Sequence, residues 1–76
     1  MERYLARMVE LLDIQQQNCI NMGAKIDKFS FAPFTGGDKE QNSYYSGHLN
    51  MAQTIAWKSG KDIVKRNGKH ILIDER

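Results

Sequence analysis

The sequence predicts a small single-domain α+β (or small α/β) protein whose elements run α-β-α-β. Three observations carry this. Apolar residues recur at helical spacing over residues 2–22, two aromatic rings alternate with polar residues before Pro33, and a second helical phase leads into the apolar run of "KHILID". Seventy-six residues without an internal repeat make one domain, 1–76. A chain of this length buries only roughly 60% of the surface its unfolded form exposes, so a partner or a second copy would add stability.

The first helix is expected over about residues 2–22, a stretch free of Gly and Pro. Leu5, Met8, Leu12, Cys19 and Met22 form one stripe, broken by Gln15 and widened by Tyr4, Leu11 and Ile20. Gly23 is the expected stop, free to take positive φ. The stripe reads first as a core face. Read instead as a coiled-coil seam, it would join two copies in a homodimer.

A strand is expected over about 25–31, because Phe29 and Phe31 alternate with Lys28 and Ser30. Ile26 is out of phase with them, and Pro33 ends the run. Residues 33–45 then read as a loop, most clearly in "TGGDKEQNS". That glycine pair does not make a phosphate loop, since an acid follows it and the G-x-x-x-x-G-K-[ST] spacing is missing.

A second helix is expected over about 47–66, with Ser46 as N-cap. Leu49, Ala52, Ile55, Ala56 and Ile63 fall within roughly 120° on a helical wheel, and Lys58, Lys61 and Lys65 within about 60° on the opposite side. Gly60 would cost about 1 kcal/mol there. A strand over about 69–74 follows. The rival arrangement has a shorter second helix and a β-hairpin over 61–74, turning on Asn67-Gly68, a favoured type I′ pair. It would set Arg66 opposite Lys69 and Lys65 opposite His70, and like charges so placed cost up to about 1 kcal/mol. The continuous helix is preferred on that ground and because the helical phase runs straight through Ser59-Gly60.

Apolar runs are only two or three residues long, so no membrane span is expected. "MERYLARMVE" lacks the uninterrupted apolar core of a secretory signal, and a cytoplasmic location is expected. The lone Cys19 has no disulfide partner, and with His48 and His70 it makes no metal-site spacing. No cofactor is indicated. The carboxylates of Asp13, Asp27, Asp38, Asp62 and Asp74 show no paired spacing for acid–base work, and catalysis is not expected.

Net charge is only +2, but the cations are uneven: Lys58, Lys61, Lys65, Arg66 and Lys69 stand against Asp62 alone in residues 58–69. With Tyr44, Tyr45 and Trp57 they are the candidate partner-binding residues. The expected function is that of a small non-enzymatic binding protein. It would be a regulator or inhibitor docking on a protein or protein–nucleic-acid complex, of the kind carried by phages and mobile elements by size and class only. The alternative is direct nucleic-acid binding by the basic helix face, with tyrosines or tryptophan supplying stacking. A homodimeric structural or adaptor module is the third reading.

Overall fold

The computed structural model describes residues 2–75. Four elements are present among the described residues: helix α1 (Glu2–Asn21), helix α2 (Lys39–Lys58), strand β1 (Lys61–Arg66) and strand β2 (Lys69–Asp74). The α+β class holds. Cys19 of α1 donates its thiol to the Gln41 carbonyl, and Gln15 meets His48 further back. The helices are therefore antiparallel neighbours and form one layer. The β1–β2 hairpin packs on that layer, β1 against α2 and β2 against α1.

The core lies between the layers. Leu5, Met8, Val9, Leu12 and Cys19 supply it from α1, Tyr45, Leu49, Ala52 and Ala56 from α2, and Ile63 from β1. Ala52 and Ala56 have no exposed surface, and such small side chains let other elements approach the α2 backbone closely. Four residues of the expected coiled-coil stripe are thus spent inside their own chain. Met22 lies beyond the end of α1 and is exposed. A dimer seam along Leu5, Met8, Leu12 and Cys19 is not available while the domain is folded.

The second helix departs from the expected 47–66 at both ends. It starts at Lys39 because Asp38 is a true N-cap: its backbone is extended (φ −92°, ψ 121°) and its Oδ1 accepts the Gln41 N–H at 2.8 Å. Glu40 in the first turn suits the helix dipole. The stretch 39–45, expected as loop, is therefore helical. The helix ends at Lys58, where the Ser59 N–H closes back on Ile55 and Ala56. Gly60 then takes φ 73°, a conformation a helix interior cannot hold.

Residues 61–74 form the hairpin of the rival arrangement. The register pairs Lys61 with Asp74, Ile63 with Leu72, Val64 with Ile71, Lys65 with His70 and Arg66 with Lys69. Asn67 and Gly68 both have positive φ, 51° and 83°, as a type I′ turn requires. The like-charge objection is answered at one rung. His70 is largely neutral, as shown below, so only Arg66 and Lys69 repel.

No strand forms over 25–31. Only a single antiparallel bridge joins Lys25 to Thr35. Asp27 Oδ1 accepts the Phe29 N–H at 2.8 Å and Ser30 Oγ accepts the Ala32 N–H, so the backbone turns instead of extending. Phe29 points to solvent, while Phe31 stacks on His70 with ring centres 6.0 Å apart. The two rings do not share a sheet face, because there is no sheet beneath them. The loop is closed at its neck by the Lys25–Thr35 bridge and by Gly37, where an added Cβ would lie 2.8 Å from Ala24 Cβ.

No helix among the described residues is long and apolar enough to cross a membrane.

Candidate functional site

The residues expected to bind a partner are dispersed by the hairpin. Side chains on a strand alternate faces, so Lys61 and Lys65 share the inner face with Ile63, while Arg66 and Lys69 share the outer face. Lys61 Nζ donates to Asp74 Oδ1 at 2.7 Å across the base of the hairpin. Lys65 is buried. Its Nζ donates to the Ser30 carbonyl at 3.2 Å and sits 6.0 Å from the Phe34 ring centre. Burial pushes its pKa down, and Asp27 partly opposes the shift. Lys58 is exposed at the end of α2. The three lysines expected on one rigid helix face therefore lie on a helix end, a hairpin base and an interior.

The aromatic candidates separate as well. Tyr44 is 66% exposed and Tyr45 only 4%, because adjacent helical residues differ by about 100°. Trp57 is half exposed, and its Nε1 donates to Asp62 Oδ1 at 2.8 Å, fastening the end of α2 to β1.

A polar chain that sequence reasoning missed runs Asp13–His70–Tyr45, from a partly exposed carboxylate to a buried imidazole and phenol. Asp13 Oδ1 accepts from the His70 backbone N–H at 2.8 Å and from ring Nδ1 at 2.6 Å. His70 Nε2 lies 2.5 Å from the Tyr45 hydroxyl. With Nδ1 donating to Asp13, neutral His70 uses Nε2 as acceptor, and Tyr45 donates. Desolvation lowers the His70 pKa despite the Asp13 carboxylate, so the Asp13–His70 contact at neutral pH is a hydrogen bond more than an ion pair. Burial pushes the Tyr45 phenol well above its ordinary value. The one signal available was strand parity, which puts His70 on the same face as Leu72 and Ile63.

An acid, an imidazole and a hydroxyl in line could in principle move a proton. Here the imidazole and the phenol are sealed from solvent, with Phe31 on one ring and Phe34 tilted against the other at 4.8 Å. The adjoining hollow, lined by Phe31, Pro33, Phe34, Tyr45, Ser46 and Leu49, holds only about 100 Å³. This suits a structural clamp that joins α1, α2 and β2. Among the described residues no group of three His, Cys, Asp or Glu side chains could hold a metal.

The outer face of the helix layer is different. On α1, Asp13 and Gln16 reach the hairpin and Gln15 and Cys19 reach α2. The side left over carries Tyr4 and Leu11, with Ile14 at its rim, at the seven- and three-residue spacings of one stripe. On α2, Tyr45 reaches the hairpin and His48 reaches α1, so Tyr44, Met51 and Ile55 fall on the same outer side. Tyr4, Ile14, Tyr44 and Met51 are all more than half exposed. Two apolar stripes thus run side by side over adjacent helices, half-buried at Leu11 and Ile55, and no other element among the described residues lies over their exposed members.

In comparison with known proteins, the chain matches no family model, no curated protein and no solved structure.

Proposed function

We propose that this chain is a non-enzymatic binding protein, a regulator or inhibitor that docks on a protein partner through the outer face of its helix layer. The observation that carries the reading is the outer helix face, where exposed Tyr4 and Ile14 on α1 and Tyr44 and Met51 on α2 flank the half-buried Leu11 and Ile55. Contiguous apolar surface of this kind marks interaction sites on small proteins, and Tyr and Met are enriched at their centres. The sealed His70 imidazole and Tyr45 phenol support a role without catalysis. The reading puts the protein in the cytoplasm, where the unpaired Cys19 stays reduced.

The test pairs affinity capture with substitutions that spare the core. Tyr44→Glu with Met51→Glu should abolish capture of a partner that the wild type retains, with the circular dichroism spectrum unchanged. Retention at wild-type strength would refute the helix-face reading. Sedimentation of the purified chain separates a second copy from a foreign partner. A concentration-dependent dimer lost in the same double variant would make the face a homodimer interface. Lys65 is left out of such variants, since a carboxylate there would be buried.

A further inference from the structure

We infer that the hairpin tip is a phosphate-gripping site for single-stranded nucleic acid, separate from the helix face. Arg66 and Lys69 stand directly opposite each other on the last rung before the turn. Side chains so placed are roughly 5 Å apart at Cβ, and like charges there destabilise the sheet. A third cation is tied to the same spot: the Lys28 carbonyl accepts the Gly68 N–H at 2.8 Å, and the Lys28 stem passes beside Gly68. None of the three side chains makes a hydrogen bond or ion pair among the described residues.

The neighbouring acid does not neutralise them. Asp27 is engaged by the Phe29 N–H and by Ser30, which hold its carboxyl below the usual carboxylate range, and its attraction is toward Lys65. The same Asp27 turn displays Phe29, which is 73% exposed beside Lys28. A surface phenylalanine held on a pinned turn offers a flat face on the residue after Lys28, whose backbone is tied to the tip that carries Arg66 and Lys69. Phosphodiesters fit the cations, and an unpaired base fits the ring. A duplex hides its base faces, so the single strand is the occupant that uses both features. The type I′ turn fixes the geometry beforehand, so little ordering is needed on binding.

Fluorescence anisotropy with labelled 20-nucleotide DNA and RNA single strands, and a matched duplex, tests this. Single strands should bind at low salt, with log K falling against log salt by about 0.7 for each phosphate contacted. Lys28→Gln/Arg66→Gln/Lys69→Gln should weaken binding at least tenfold and flatten that slope. Phe29→Ala should weaken single strands several-fold and leave the duplex nearly unchanged. The control Arg3→Gln/Lys25→Gln/Lys39→Gln removes the same charge elsewhere and should bind close to wild type. No binding at low salt, or equal losses in the tip and control triples, overturns the proposal. So does a duplex preferred over single strands, or binding only to an acidic polypeptide.

Discussion

Tyr45→Phe isolates one hydrogen bond in a site that otherwise keeps its shape. The phenol donates over 2.5 Å to His70 Nε2, with Tyr45 4% and His70 2% exposed. Removing the hydroxyl loses that bond and leaves a buried imidazole nitrogen with no donor, which costs about 1–3 kcal/mol. In a domain of this length each 1 kcal/mol lowers the unfolding midpoint by about 4–8 °C, so a loss of about 2 kcal/mol means about 8–16 °C. The assay is urea and thermal unfolding followed by circular dichroism, run as a cycle with His70→Leu. In the His70→Leu background the Tyr45 hydroxyl has lost its acceptor, so Tyr45→Phe should there be neutral or stabilising. A loss under about 0.5 kcal/mol in the wild-type background, or an equal loss in both, would refute the assignment of the clamp.

Three other outcomes follow from the same interior. The His70 pKa is depressed, so the unfolded chain takes up this proton first as pH falls. Stability should therefore be full above about 6.5 and decline below it until folded His70 protonates, with the ring titrating below 6.5 by NMR. Lys65→Met keeps the packing and removes a buried ammonium, so it should be neutral or stabilising by about 1 kcal/mol in urea unfolding, whereas Lys65→Glu should unfold the domain. Gly37→Ala should destabilise well beyond Gly60→Ala: both sites have positive φ, but a Cβ at Gly37 meets Ala24 at 2.8 Å while one at Gly60 meets open space. Unfolding midpoints would show the order, and Gly60→Ala should cost about 1–2 kcal/mol from backbone strain alone.

The first helix was legible because its apolar stripe, its lack of Gly and Pro and its Gly23 stop all agree. The second was legible only in part. The polar stretch around Asp38 hid a helix start that its own side chain specifies, and Asp38 followed by Gln41 was a readable cap signal. The continued helical phase through Ser59-Gly60 pointed the wrong way. Ile63 falls on the core side in both a helix and a strand, so one residue type could not discriminate. The like-charge argument failed at Lys65–His70 because two remote groups, the Ser30 carbonyl and Asp13, absorb the polarity of that rung. Sequence reasoning over short windows cannot see partners that distant. For the same reason the candidate site residues scattered: Lys65 and Tyr45 looked like surface residues until their burial set them in the interior. Phe29 and Phe31 alternated as a strand would, but alternation without a pairing partner leaves only a loop.

The hairpin depends on α1 for the completion of its own backbone. Asp13 takes the N–H of His70, and Gln16 donates to the carbonyl of Gly68 at 2.5 Å, across most of the chain length. Residues near the start therefore stand in for a third strand along the edge of residues near the end. Such long-range closure slows folding, because the loop entropy is spent before the contacts form. It also makes folding all-or-none: no fragment lacking either end keeps the edge satisfied.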